Sequence, residues 1–126
     1  MLLKAMKKLT ILCLVLISLA ASAENVTCTL QSEGKKASAT VSIVTNEESV
    51  AIDEAWVNDL SFDLVSDCYE SQCYISATIY SQILEDEAGQ IGVEIERGEG
   101  HGRILAEPIT HTPDGLNYFL YCYYNK

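Results

Sequence analysis

The residues best equipped for covalent chemistry are Cys28, Cys68, Cys73 and Cys122, with a fifth cysteine, Cys13, inside an apolar N-terminal run. Thiolate metal centres need close cysteine pairs or histidines at matching spacing. Neither occurs: Cys68 and Cys73 have four residues between them, and His101 and His111 stand at no ligand spacing from a cysteine. The same gap differs from the C-x-x-C of thiol oxidoreductases. An even set of four in an exported chain reads instead as two disulfides, with three possible pairings.

Other reactive constellations are incomplete. Gly98-Glu99-Gly100-His101-Gly102-Arg103 has the glycines of a phosphate loop. It lacks a following helix pattern and a Lys-Ser/Thr step, and Glu99 would repel an anion, so a hairpin tip is the better reading. Carboxylates cluster at Glu47-Glu48, Asp53-Glu54, Glu85-Asp86-Glu87 and Glu94/Glu96 without the regular oxygen spacing of a calcium loop. There is no G-x-S-x-G or H-E-x-x-H, and no cysteine is left over as a nucleophile. The chain is therefore expected to be non-enzymatic, with no cofactor and no metal. Asn25-Val26-Thr27 is a formal glycosylation sequon beside the expected new terminus.

The C-terminal segment is aromatic on both strand parities: Tyr118, Phe119, Tyr121, Tyr123 and Tyr124 fall within seven residues. The ordinary reading of such a strand is burial on both sides. The alternative makes Phe119, Tyr121 and Tyr123 an exposed stripe, extended by Tyr74 and Tyr80 on their outward parity and with Arg103 as a nearby cation. Rigid rings with polar tips suit protein contacts or sugar stacking.

These residues are carried on a chain that begins as an export signal. Lys4, Lys7 and Lys8 precede an apolar run from Leu9 to Ala21, and Ala21-Ser22-Ala23 offers small residues at the cleavage positions. The run is too short to span a bilayer, which takes about 20 apolar residues. Neither Cys13 nor Cys28 follows a small residue, so neither fits a lipid-attachment signal. Residues 1–23 are thus expected to leave and 24–126 to form a single domain, in the periplasm or outside the cell, with no stable membrane insertion. Loss of three lysines leaves five cations against eighteen carboxylates, a formal charge of −13. That balance excludes nucleic acid and anionic membrane surfaces as partners and favours a basic one.

Period-2 alternation runs through nearly the whole mature chain. It marks strands at Val26–Gln31, Ala37–Val44, Leu60–Ser66, Cys73–Leu84, Gln90–Arg97, Arg103–Ala106 and Leu116–Tyr124, with a weaker one at Val50–Ile52. Turn residues separate them at Glu33-Gly34-Lys35, Thr45-Asn46-Glu47, Glu85–Gly89 and Pro113-Asp114-Gly115. Asp53–Asn58 has room for one helical turn with Trp56 inward. The expected class is all-β: a small antiparallel sandwich or barrel of about seven strands.

Parity also selects the cysteine pairing. Cys68 shares the apolar face of Leu60, Phe62 and Leu64, and Cys73 that of Ile75, Ala77 and Ile79. A turn through Tyr69-Glu70-Ser71-Gln72 sets the two opposite each other. Cys28 and Cys122 lie on the core parity of the first and last strands. The expected bonds are Cys68–Cys73 and Cys28–Cys122.

No family signature is present. Function is expected to be binding of a protein or envelope component, most concretely as an acidic inhibitor or adaptor of a basic protein. A small ligand-carrying barrel or hydrolase, and a structural envelope component, are the competing readings.

Overall fold

In the computed structural model the described residues are 24–52, 55–97 and 102–125. They form eight strands and no helix: β1 (Asn25–Ser32), β2 (Lys35–Ser42), β3 (Glu48–Ile52), β4 (Leu60–Tyr69), β5 (Gln72–Ser81), β6 (Asp86–Glu96), β7 (Gly102–Ile109) and β8 (Tyr118–Asn125). All pairings are antiparallel. One sheet has the order β2-β1-β8-β7 and the other β3-β4-β5-β6. The fold is therefore a two-layer sandwich rather than a barrel.

The alternation dictates which side of each strand is dry. Val26, Cys28 and Leu30 of β1, Val41 of β2 and Leu120 and Cys122 of β8 are buried from one sheet. Phe62, Leu64 and Cys68 of β4 and Cys73, Ile75 and Ala77 of β5 meet them from the other. Apolar burial of this kind supplies the main folding force, at about 25 cal/mol per Å² removed from water. Both disulfides lie inside this layer. Cys28 faces Cys122 across β1 and β8, and Cys68 faces Cys73 across β4 and β5, with Cα–Cα 4.0 Å in each.

The turns follow from local chemistry. Glu33 and Gly34 both take positive φ (50° and 80°), the requirement of the two-residue hairpin turn matching strand twist. Glu70, at φ 56°, turns β4 into β5 and donates its N–H to Asn46 Oδ1 (3.0 Å).

The weaker strand expected at Val50–Ile52 is present as the edge strand β3, the eighth strand of the sandwich. The structure corrects the sequence reading in three places. Trp56 is 46% exposed and Val57 takes the inward position, bridging to Leu60 through a tight turn at Asn58 (φ 51°). Asp53 and Glu54, which completed the expected helical turn, lie outside the described residues. The β5–β6 reversal uses Gln82-Ile83-Leu84-Glu85, not the acidic run after it, so Ile83 and Leu84 leave the strand and face solvent. The cause is Asp59: its carboxylate accepts from Ile83 N–H (2.8 Å) and Ser81 Oγ (2.6 Å), fixing the turn there. Finally, β7 extends to Ile109 through Pro108, a residue tolerated because β7 is an edge strand.

One node ties the two sheets at the β7–β8 loop end. Tyr118 Oη donates to Asp114 Oδ2 (2.5 Å) and accepts from Asp59 N–H (3.1 Å). Asp114 Oδ1 also accepts from Leu116 N–H (3.1 Å) and Thr112 Oγ1 (2.9 Å). Burial, and then the bond to Asp114, push the Tyr118 phenol well above its ordinary value. Burial works the other way on Asp114, but the hydrogen bonds from Tyr118, Leu116 and Thr112 outweigh it and hold that carboxyl low. At the other end Ser66 Oγ donates to Ser42 C=O (2.7 Å).

Candidate functional site: two outer faces

With the interior filled, the chemistry available to a partner lies on the two outer faces. The outward residues of β8 are Phe119, Tyr121 and Tyr123, spaced two apart as a row down the middle of the β2-β1-β8-β7 sheet. Phe119 and Tyr121 are half-buried and Tyr123 is 38% exposed. Neighbouring ring centroids lie 6.1 and 5.9 Å apart, the second pair edge-on. The expectation that this strand is buried on both sides is thereby corrected. Tyr118, Leu120, Cys122 and Tyr124 are buried, but among the described residues no second layer covers the odd-numbered side.

Arg103 pairs with Tyr123 in the β7–β8 register and lies over its ring, the guanidinium carbon 5.8 Å from the centroid and Nη2 3.3 Å from the phenol oxygen. That hydrogen bond raises the Arg103 pKa further above its ordinary value. On the other flank, β1 and β2 present paired hydroxyls: Thr27 with Thr40 (2.9 Å) and Thr29 with Ser38 (2.8 Å). The outward positions of these four strands hold no Asp or Glu among the described residues. A surface cleft of about 600 Å³ ends the row beside Phe119, lined by Gln31, Lys36, Pro108, Asn117 and, at its border, Glu33.

Tyr74 and Tyr80 do not extend this row. They lie on β5, so they face outward from the opposite sheet, at 46% exposure for Tyr74 and partial exposure for Tyr80. Parity assigned the outward side correctly, but strand parity carries no information about which sheet a strand joins. Register places carboxylates around both tyrosines: Tyr74 lies between Asp67 and Glu94, and Tyr80 opposite Glu87. Glu48 pairs with Asp67 on the β3 side, and Gln72 with Glu96 beyond. Burial, then the charge of Asp63 and a hydrogen bond to it, raise the Tyr80 pKa, with Glu87 and Asp86 adding to the effect. Tyr74 also covers Gly92, where any Cβ would overlap its ring. No cation stands on this face among the described residues.

The described cations are few and placed elsewhere. Lys35 donates to Asn58 Oδ1 (3.0 Å), and Arg97 pairs with Glu24 (3.6 Å), whose carboxylate also accepts from Tyr124 Oη. His111 adopts φ 57° in the β7–β8 loop, and His101 lies outside the described residues together with the rest of the glycine-rich tip, Gly98, Glu99 and Gly100. Among the described residues no three His, Cys, Asp or Glu side chains gather as a metal site. A slot of about 350 Å³ opens between the sheets on the β6–β7 side, lined in part by Leu60, Ile79, Ile91, Ile109 and His111. It is a solvent-open edge of the core rather than an enclosed ligand chamber.

Sequence reasoning missed the segregation itself. Asp63 and Asp67 were legible as outward residues of β4 and Glu94 as outward on β6; that they adjoin needed the β4-β5-β6 order. Comparison with known proteins adds nothing to these two faces: no family model, no curated protein and no solved structure matches the chain.

Proposed function

We propose that the protein is an exported, non-enzymatic binding module that recognises a basic protein through the outer face of the β3-β4-β5-β6 sheet. The observation that carries this reading is the composition of that face: Glu48, Asp63, Asp67, Glu87, Glu94 and Glu96 surround Tyr74 and Tyr80 with no cation among them. Carboxylates and phenol rings side by side are the complement of Lys and Arg side chains, which take both an ion pair and a ring face. Unpaired carboxylates also steer a cationic partner and make the complex salt-sensitive. Export is supported by the tripartite N-terminal segment and by two disulfides, bonds that persist in oxidising compartments.

Any acidic protein attracts a polycation, so the test needs a charge-matched control. Binding of poly-L-lysine is measured for a face variant (Asp67→Asn, Glu94→Gln) and for a charge-matched off-face variant (Glu33→Gln, Glu107→Gln). The face variant is expected to bind at least tenfold more weakly and the off-face variant within about threefold of wild type, since close charge pairs outweigh screened distant ones. Equal losses would reduce the effect to net charge and remove the proposal.

A further inference from the structure

We infer that the opposite face, along Phe119, Tyr121 and Tyr123, is a separate binding site for an acidic glycan, with Arg103 receiving the acidic group. The charge pattern is the first reason. In a chain with eighteen carboxylates and eight cations, Arg103 has no carboxylate partner among the described residues; its hydrogen bond and its ring contact are both to Tyr123. A guanidinium held by one phenol keeps most of its fork of N–H donors free for a carboxylate or sulfate. The outward strand positions of this sheet hold no Asp or Glu among the described residues, and Glu33, which lines the cleft beside Phe119, stands at the end of the row away from Arg103. The acidic face lies on the far side of a two-sheet sandwich about 10 Å thick between backbones, beyond a Debye length at physiological salt.

The chemistry of the row separates a sugar from a peptide. Protein hot spots are aromatic and arginine anchors seated in fully desolvated pockets, whereas Tyr123 and Arg103 lie exposed on the open sheet surface. This face is a row of rings about 14 Å long over five β8 residues, successive ring planes inclined by 37° and 86°, flanked by the exposed or half-buried hydroxyls of Thr27, Ser38 and Thr40. A row of rings beside a row of hydroxyls matches a saccharide, whose C–H faces stack on aromatics while its edges hydrogen-bond.

Affinity electrophoresis in native gels containing alginate, a polyuronate, tests this directly, with dextran as the neutral control. Alginate is expected to retard the wild-type protein and dextran to leave it unmoved. Tyr121→Ala should abolish the retardation. Arg103→Gln, on a fully exposed side chain that leaves the rings intact, should weaken it about tenfold, the loss of one charge-assisted hydrogen bond. Neither change should alter poly-L-lysine binding, which reads the other face, so the two proposals fail separately. Absence of retardation, equal retardation by dextran, or an Arg103→Gln variant indistinguishable from wild type would overturn the assignment. So would capture of a protein by this face that Tyr121→Ala abolishes while alginate has no effect.

Discussion

The two sheets are built alike on the inside and oppositely on the outside. Each central strand pair is bridged by a cross-strand disulfide facing the core, Cys28–Cys122 in one sheet and Cys68–Cys73 in the other. Among the described residues, the outward strand positions of one sheet show rings and hydroxyls with Arg103 and no acid, and those of the other show tyrosines among carboxylates with no cation. The inner likeness follows from the shared need to bury apolar area in a small domain. The outer difference has no such cause, because either surface would keep the sandwich soluble. A segregation that folding does not require is where partner recognition is most economically placed.

The inner likeness breaks first when the disulfides are removed one at a time. Cys28 and Cys122 are 94 residues apart and Cys68 and Cys73 only five. The chain-entropy model gives about 4.5 kcal/mol for the long loop and about 2 for the short one. Urea unfolding of Cys28→Ala/Cys122→Ala should therefore show roughly twice the loss seen for Cys68→Ala/Cys73→Ala. Equal losses would mean that local packing, not loop length, sets their worth.

The tie between the sheets comes next in size. Tyr118→Phe leaves the Asp59 N–H and one Asp114 oxygen without their partner, at a cost of about 1–3 kcal/mol. The same node gives the stability profile two flanks. The Tyr118 phenol is raised, so its contribution is complete below about pH 10 and is lost as pH climbs through the folded value. The Asp114 carboxyl is lowered, so its contribution is complete above about pH 4 and is lost as pH falls through the folded value. Melting temperatures across pH should show the alkaline decline flattened in Tyr118→Phe.

Smaller changes sharpen the outer contrast. Asp63→Asn removes a charge and alters the hydrogen bond at Tyr80, so the phenol should titrate at lower pH in ultraviolet difference spectra; an unmoved titration would leave burial and the charges of Glu87 and Asp86 as the cause. Gly92→Ala should cost under about 1 kcal/mol, because the overlapping Tyr74 ring is exposed and can swing aside. That movement should nevertheless weaken poly-L-lysine binding while leaving the aromatic row of the other sheet untouched.

Much of this architecture is legible in the chain. Strict alternation from Ala37 to Val41 and from Phe62 to Cys68 shows which side of a strand is dry, and from it the cysteine pairing follows. What alternation leaves open is which strands share a sheet, a matter of contacts distant in sequence. Tyr74 and Tyr80 therefore looked like neighbours of Tyr121, and the acidic face could not be assembled. Trp56 and the β5–β6 turn were misread because both depend on the tight turn at Asn58-Asp59. Its fixing contacts reach residues more than twenty positions away.

Carbodiimide footprinting of carboxylates, with and without poly-L-lysine, tests the division of the surface most directly. The expected result is protection of Glu48, Asp67 and Glu94, with Glu33 and Glu107 labelled as before. Uniform protection of all five would contradict it, leaving an acidic protein with no preferred face.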